Sequence, residues 1–486
     1  MAQLFFTDLA ALDRPLRVDG ASAELPAAAM AIANKAALSD GVPFILGDDG
    51  SYDVVLNRFF RSCPTMGLRS PNSLRAYARD VLTWQRFLTE HREGKTVWQA
   101  DHQDVAAYHA ARRRSGPPHR ISAASWNRAI AALEKLYGWA VDEGIMAASP
   151  FRHTIAWRRI GHGLAPVRIS RARERAARSG DPRFIDMERY MQFRDVGLRG
   201  RLPDGTEDTA WRGRHGERNA LFAELLVTTG LRLEEAGSLL TAELPRSASV
   251  QGDRQRRRSI PFRVPASIAK GNKARDVRLP LRLLRQLGDY IELERANLLD
   301  RHRHQRCNDA ILVTAIERDV AVLIERDQRV RLDLLTPAER RRLIVYSDHG
   351  DHAAVLWIGE RGRPMTSGGW EAIFHRASER CRSFGLDVEV TPHTLRHTFA
   401  VHMLALLLRE QFGTVLRDGP DVDDQPGAGV YRRLIGDPLQ KLQWLMGHAS
   451  IASTHIYLDS LEECRALVDA AVEHWAAELD EPGAWQ

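Results

Sequence analysis

Apolar residues recur every three or four positions along residues 51–150, which is the spacing of amphipathic helices. Ser70 followed by Pro71 indicates a helix start, because serine caps helices and proline suits the first helical position. Asp101 and Ser125 are expected to cap two further helices. The pattern predicts a small all-α domain, preceded by a weakly periodic N-terminal arm over residues 1–50.

A longer domain is predicted over residues 185–486, where helical and extended patterns both occur. The apolar run Leu221–Val227 predicts a helix that breaks at Gly230 and restarts at Leu233. Helices return from Thr391, whose hydroxyl can cap the next one.

One hairpin and one terminal helix complete the pattern of this domain. Two short strands are predicted within residues 260–280, joined at Gly271-Asn272, a common hairpin turn sequence. An amphipathic helix is expected over residues 460–479. The predicted fold is therefore multidomain and mainly α, with an all-α helical first domain and a mixed α+β second domain that contains a small antiparallel sheet.

Three segments match neither domain pattern. Residues 151–184 are predicted to be a basic linker, since residues 152–180 hold eight arginines and one acid. Such a segment can follow a DNA backbone, and a solvated helix or a flexible tether is the alternative. Residues 297–355 and 409–438 are predicted to be insertions into the second domain.

The first of these insertions is rich in residue types that bind metals. They could form a zinc site, but a solvated loop of arginines and histidines is the simpler interpretation. The residues concerned are His302, His304, Cys307, Asp348, His349, Asp351 and His352.

Composition excludes several classes of protein. The 486 residues are 44% hydrophobic and 27% charged, which excludes a disordered, collagenous or disulfide-scaffold protein. No stretch of 18 uninterrupted apolar residues occurs, so neither a membrane-spanning helix nor a membrane partner is expected. The four cysteines are widely spaced and form no CxxC pair, which favours reduced thiols in a cytoplasm.

Charge is distributed unevenly along the chain. The net charge is +6, but residues 1–50 carry −4 and residues 459–486 carry −7, which leaves +17 on residues 51–458. A basic body between acidic ends favours a polyanionic partner, most simply nucleic acid, and a solvated arginine-rich surface is the alternative. The basic residues expected to contact DNA are Arg112, Arg113, Arg114, Arg120, Arg128, Arg158, Arg159 and Lys273.

The helix expected from Thr391 carries a candidate phosphate site. His393 and Arg396 stand three residues apart on one face of its first turns, where a helix N-terminus already favours anions. His393 and His397 also have the spacing of zinc ligands, but the arginine between them would repel a cation. We therefore expect no metal at this pair, and His397 is interpreted as a core residue.

Two further motifs carry residues suited to phosphate chemistry. Gly447-His448 precedes Tyr457 by nine residues, and Lys270 lies beside the expected hairpin turn. Only six of the 69 basic residues are lysines, and lysine can give up a proton near neutral pH whereas arginine cannot.

Together these motifs resemble the tyrosine recombinase (phage integrase) family. That family's signature, H-x-x-R followed by Gly-His and then Tyr, is matched in order, and its T-G-L-R-x-x-E box is matched by Thr229–Glu235. The resemblance implies that residues 51–150 form the family's core-binding (SAM-like) domain. It also implies six catalytic residues, namely Arg232, Lys270, His393, Arg396, His448 and Tyr457.

The resemblance implies an activity on DNA that uses no cofactor, neither ATP nor a metal. Tyr457 would attack a phosphodiester to form a 3′-phosphotyrosyl bond, the arginines would bind the phosphate oxygens, and Lys270 would protonate the leaving 5′-oxygen. Implied partners are double-stranded DNA, a homo-tetramer on synapsed DNA sites, and accessory DNA-bending or element-encoded proteins at the nucleoid. A type IB topoisomerase and a catalytically silent DNA-binding regulator remain the alternatives.

Overall fold

A computed structural model divides into two compact units, Met1–Gly180 and Asp181–Gln486. The residues that it describes are 2–8, 16–18, 21–23, 40–68, 70–117, 119–160, 163–174, 183–245, 258–302, 310–317, 320–323, 329–346, 350–418, 437–458 and 461. Among these residues, no helix combines the length and the hydrophobicity that crossing a membrane requires.

Helices dominate the first unit. They are α1 (Val54–Ser62), α2 (Pro71–His91), α3 (His102–His109), which continues as a π-helical segment over Ala110–Arg114, and α4 (Ala123–Asp142). Ser70 and Asp101 stand at the N-caps of α2 and α3 as expected. The prediction for the next helix was wrong by three residues, because Ser122 caps α4 and its hydroxyl accepts from the backbone N–H of Ser125 at 3.1 Å.

Aromatic side chains fill the core of this unit. Trp84 donates its indole N–H to the Tyr137 hydroxyl at 2.7 Å, and that hydroxyl donates to the Val97 carbonyl at 2.7 Å. Both side chains are fully buried, so these hydrogen bonds satisfy polar atoms that would otherwise lie unpaired among apolar groups.

The ends of the expected N-terminal arm belong to the first unit. Strand β1 (Gln3–Phe6) pairs antiparallel with β4 (Pro43–Leu46), and Val42 and Ile45 are buried in the helical core. Between them, β2 (Leu16–Val18) pairs antiparallel with β3 (Ala21–Ala23).

The basic linker expected over residues 151–184 contains regular structure. Strands β5 (His153–Ile160) and β6 (Gly163–Ser170) form an antiparallel hairpin. The interpretation as a solvated helix or a tether was therefore wrong for the part that forms this hairpin. Residues 175–182 lie outside the described part of the chain.

The second unit contains most of the helices. Those before its inserted sheet are α5 (Met187–Gln192), continued by a π-helical segment over Phe193–Leu198, α6 (Gly216–Thr229), α7 (Leu233–Gly237), α8 (Leu281–Asp289), continued by a π-helical segment over Tyr290–Arg295, and α9 (Ala296–Arg301). Those that follow are α10 (Pro337–Arg342), α11 (Ser367–Ser383), α12 (Pro392–Asp418), α13 (Pro438–Met446) and α14 (Ala452–His455). The rings of Phe222 and Trp370 stack in its core.

The expected hairpin is present in this unit. Strands β7 (Ser259–Val264) and β8 (Arg275–Pro280) pair antiparallel, and the loop between them contains Gly271 at φ 80° and Asn272 at φ 54°. These two residue types tolerate the left-handed backbone that the turn requires.

A separate five-stranded sheet occupies the first insertion. Its strands are β9 (Ile311–Glu317), β10 (Val320–Leu323), β11 (Arg329–Arg331), β12 (Leu343–Val345) and β13 (His352–Ala353), in the order β11-β10-β9-β12-β13. Only β9 and β12 pair in parallel. The sheet has a hydrophobic core of its own, which includes Val313 and Leu343, and His352 lies in β13 and not in a solvated loop.

Several expectations fall partly or wholly outside the described residues. His304, Cys307, Asp348 and His349 of the zinc alternative lie outside, and no group of three metal-binding side chains occurs among the residues described. In the second expected insertion, 409–438, α12 continues to Asp418 and residues 419–436 lie outside. The expected helix 460–479 also lies outside, apart from Leu461.

Candidate active site

Five of the six candidate catalytic residues meet at the ends of helices in the second unit. Arg232 caps the start of α7, and His393 and Arg396 lie in the first turns of α12. His448 directly follows Gly447, which ends α13, and Tyr457 follows α14. Contacts link them in one cluster, which the exposed His393 joins through His397, whose ring centroid lies 4.3 Å from its own.

Arg396 is buried and is held by main-chain carbonyls. Its guanidinium donates to the carbonyl of Gly230 at the end of α6 and, at 2.5 Å, to the carbonyl of Met446 at the end of α13. Burial, together with the neighbouring charge of Arg232, lowers the pKa of Arg396 to about 9. One arginine thereby joins three helix ends and keeps its charge close to the cluster.

Arg232 is fixed by a buried carboxylate. Glu235 accepts the backbone N–H of Arg232 at 2.8 Å and its guanidinium at 2.9 Å. The same carboxylate accepts two hydrogen bonds from Arg275, at 3.0 and 2.6 Å. Burial alone would raise the pKa of Glu235, but the hydrogen bonds and charge of Arg275 outweigh burial and lower it to about 2.

Sequence reasoning missed Arg275, which lies two residues after Lys273. Arg275 is buried at the start of β8 and also donates to the carbonyl of Leu445 at 3.0 Å. The available signal was Glu235 itself, because a buried carboxylate needs a cationic partner. The two residues connect the β7–β8 hairpin to α7 and α13.

The histidines of the cluster are neutral at pH 7. Burial, followed by the charges of Arg396 and Arg232, lowers the pKa of His448 to about 4 and also lowers the pKa of His393. His448 Nδ1 lies 3.0 Å from the Thr454 hydroxyl, which fixes the imidazole ring. Neutral imidazoles can accept a proton or a hydrogen bond within a site dominated by cations.

The candidate nucleophile is packed inside this cluster. Tyr457 is 2% exposed, and its ring centroid lies 6.2 Å from that of His448. Its hydroxyl lies 2.9 Å from Nδ1 of His397, which is half-buried and contacts the cluster, whereas the sequence was interpreted as placing His397 in the core. Burial raises the pKa of Tyr457, while the charges of Arg396 and Arg232 oppose that rise.

Lys270 is exposed in the β7–β8 loop. The structure assigns it no hydrogen bond, but its charge contributes to the lowered pKa of His393. Lys273 is exposed in the same loop. Both lysines are therefore accessible to a bound polyanion.

The arginines proposed to contact DNA differ in their surroundings. Arg113 pairs with Glu174 at 2.7 Å and Arg128 pairs with Asp80 at 3.0 Å, so both have partners within the first unit. Arg112 is half-buried. Arg114 and Arg120 are exposed, while Arg158 and Arg159 lie in β5 with side chains outside the description.

The site as a whole is a cationic surface with a buried phenol. Arg232, Arg275 and Arg396 contribute three positive charges against the single carboxylate of Glu235, and Lys270 lies nearby. Such an arrangement can bind a phosphate diester and stabilise the negative charge that develops when a nucleophile attacks it.

Comparison with known proteins agrees with this chemistry. The family model described as phage integrase, N-terminal SAM-like domain, matches residues 56–144, and the phage integrase family model matches residues 207–406. The second match includes Arg232, Lys270, His393 and Arg396. His448 and Tyr457 lie beyond it and rest on the motif and the geometry.

Similar proteins carry related names. The tyrosine recombinase XerC of Listeria monocytogenes is 23% identical over 397 residues, covering 81% of this chain and 89% of that protein. The tyrosine recombinase XerD of Corynebacterium glutamicum is 31% identical over 112 residues, covering 22% of this chain and 26% of that protein. Among solved structures, the Tn1549 transposon integrase with transposon right end DNA gives a TM-score of 0.47 at 12% identity, covering 87% and 99%. The chain belongs to the tyrosine recombinase (phage integrase) family.

Proposed function

We propose that the protein is a site-specific DNA recombinase that cleaves and rejoins strands through a 3′-phosphotyrosyl intermediate on behalf of a mobile element. The observation that carries this proposal is the phenol of Tyr457, buried beside Arg396 and the neutral imidazoles of His397 and His448. A phenol with a raised pKa is a weak nucleophile until it is oriented and deprotonated, and the cluster supplies groups for both tasks.

The proposed reaction begins when Arg232 and Arg396 bind the non-bridging oxygens of the scissile phosphate. The Tyr457 oxygen attacks phosphorus, a tyrosyl O–P bond forms, and the bond from phosphorus to the 5′-oxygen breaks. The phenol proton passes to a neutral imidazole of the cluster, for which His393 and His448 are the candidates.

Lys270 gives its proton to the departing 5′-oxygen, which leaves as a hydroxyl. The phosphotyrosyl bond retains the energy of the broken phosphodiester, so a second strand's 5′-hydroxyl can attack it and release Tyr457. Strand exchange by this route consumes no nucleoside triphosphate.

Recombination requires the joining of two DNA sites, so we propose that four copies assemble on synapsed duplexes in the bacterial cytoplasm, at the nucleoid. The positive charge of residues 51–458 supports a duplex partner. Accessory DNA-bending or element-encoded proteins are proposed as further partners.

The test is covalent capture of DNA. Duplexes selected by binding from a random-sequence library are nicked near the bound site, and adducts that survive SDS are counted on a gel. The wild-type protein is expected to form an adduct, and Tyr457→Phe is expected to bind equally and form none, because only the nucleophilic oxygen is lost. Tyr346→Phe, which alters a half-exposed tyrosine of the same unit, serves as the control.

Three outcomes would contradict the proposal. An adduct in Tyr457→Phe assigns the nucleophile elsewhere. Binding without any adduct from the wild-type protein favours a silent regulator. Relaxation of supercoiled plasmids that lack the selected site, with no exchange between sites, favours a type IB topoisomerase.

A further inference from the structure

The hairpin β5–β6 turns an apolar face to solvent. Ile155 and Trp157 lie on the same side of β5, and each is 68% exposed. Their cross-strand partners on that face, Arg168 and Pro166, are also exposed. A two-stranded ribbon normally buries its large apolar residues, so the exposure of this face indicates a binding surface.

The hairpin is attached firmly at its base to the helices of the first unit. Phe151 and Ser170, at the two ends of the hairpin, are buried. Just beyond β6, the Ala172 carbonyl accepts the indole N–H of Trp126 at 2.7 Å, and Arg173 pairs with Glu134 at 2.8 Å. The exposed face is therefore presented on a fixed support.

The charge around this face indicates the chemistry of the partner. Residues 152–173 contain six arginines and no acid, and Arg152 and Arg168 are exposed. A protein partner would need an apolar patch surrounded by acidic groups, whereas duplex DNA offers both features, apolar sugar and base surfaces between two rows of phosphates. Aromatic and branched apolar side chains are known to press into DNA grooves in this way.

We propose that the hairpin is a DNA-contacting element in which Trp157 and Ile155 press against bases or sugars in a groove of the duplex while Arg152 and Arg168 bind the flanking phosphates. The proposal rests on the proposed function and adds to it a specific contact outside the candidate active site.

The experiment separates the apolar contact from the ionic one. Binding of a selected duplex is measured by fluorescence anisotropy over a series of salt concentrations. Trp157→Ala is expected to weaken binding roughly tenfold or more without changing the slope of log affinity against log salt, because contact with bases releases no counterions. Arg168→Ala is expected to reduce that slope by about one, the effect of one lost phosphate contact.

Two controls guard against unfolding of the hairpin. Thr154→Ala changes an exposed residue of the same strand on its opposite face and should bind as wild type. Trp157→Phe keeps an aromatic ring and should restore most of the affinity. Equal thermal melting of all variants shows that the first unit is intact.

Unchanged DNA affinity in Trp157→Ala overturns the inference. So does a self-association, measured by sedimentation, that Trp157→Ala abolishes while DNA affinity stays, because the face would then bind protein. Adduct formation by the wild-type protein on the same duplex is scored separately, so the hairpin and the proposed function can fail independently.

Discussion

The hydroxyl of Tyr457, the proposed nucleophile, contacts an imidazole that stays uncharged at neutral pH. Burial, with the electrostatic influence of His393 and the charge of Arg396, lowers the pKa of His397 to about 4. At pH 7 its Nδ1 can therefore accept a hydrogen bond from the Tyr457 hydroxyl, 2.9 Å away. We infer that His397 is a positioning residue, which orients the phenol for attack.

We expect His397→Ala to slow adduct formation by roughly 10- to 100-fold, because the phenol loses the partner that fixes its direction. DNA affinity should stay unchanged, since His397 is directed at Tyr457. His397→Asn places an amide oxygen near the position of Nδ1 and should recover part of the rate. Single-turnover rates of adduct formation at saturating protein measure the effect, and equal rates for the Ala and Asn variants would show that His397 only fills space.

Lys270 permits a chemical test of proton donation. If it only bound phosphate, Lys270→Arg would be mild, because arginine binds phosphate at least as well. If Lys270 is a general acid, Lys270→Arg should lower the cleavage rate on the order of 10²- to 10⁴-fold. A substrate with sulfur at the bridging 5′ position leaves without a proton, so it should rescue Lys270→Arg and leave Tyr457→Phe inactive. Absence of rescue would direct attention to Lys273, exposed in the same loop.

At the scale of elements, helices were predictable wherever a cap and an apolar stripe agreed. Ser70, Asp101 and Thr391 begin helices as expected, and the Gly271-Asn272 turn lies inside a real hairpin. The motif also located most of the candidate site in sequence. It could not show the contact between His397 and Tyr457, which are sixty positions apart and meet only in the folded chain.

The missed elements lacked the pattern on which prediction depends. Ile155 and Trp157 of hairpin β5–β6 are exposed, so the apolar residues of this segment do not form the pattern of a buried strand face. The many arginines of the segment are typical of a flexible tether. The sheet β9–β13 consists of strands of two to seven residues in a highly charged stretch. Strands this short have too few residues to display a period of two, and their burial depends on neighbours distant in sequence.

The inserted sheet is joined to the rest of its unit by a buried ion pair. Arg340 of α10 is fully buried, donates to the Leu332 and Leu335 carbonyls, and pairs with Glu243 at 2.8 and 2.9 Å. We expect Glu243→Ala to reduce the free energy of unfolding by about 3–5 kcal/mol, because it leaves a buried guanidinium without its counter-charge.

Urea unfolding followed by circular dichroism measures that loss. The control is Asp333→Ala, which removes the partner of the exposed Arg331 and should cost less than about 1 kcal/mol. Similar losses in the two variants would mean that the buried pair contributes no more than a surface pair.

At the scale of the whole molecule, a basic body between acidic ends should make DNA binding strongly dependent on salt. Each phosphate contact contributes about 0.9 to the slope of log affinity against log salt. We expect a steep slope for the full chain, and a double change of the exposed Arg114 and Arg120 to alanine should lower it by up to about two.

Arg128→Ala is the matched control, because Asp80 already neutralises that guanidinium and the slope should barely change. A slope near zero for the wild-type chain would remove the case for a duplex partner. If Arg128→Ala lowers the slope as much as the loss of one exposed arginine does, the ion pair between Arg128 and Asp80 opens when DNA binds.

Main-chain carbonyls accept the hydrogen bonds of Arg396, and this determines which neighbouring positions tolerate substitution. A main-chain oxygen is present whatever the side chain, so Met446 and Leu445 can be exchanged for other apolar residues without losing a hydrogen bond to Arg396 or Arg275. Gly230 and Gly447 have no such freedom. Both adopt positive φ, and an added methyl group would meet the Phe399 ring at the first and the Arg275 side chain, 2.9 Å away, at the second. We therefore expect apolar substitutions to be tolerated at Leu445 and Met446, whereas Gly230 and Gly447 should tolerate none.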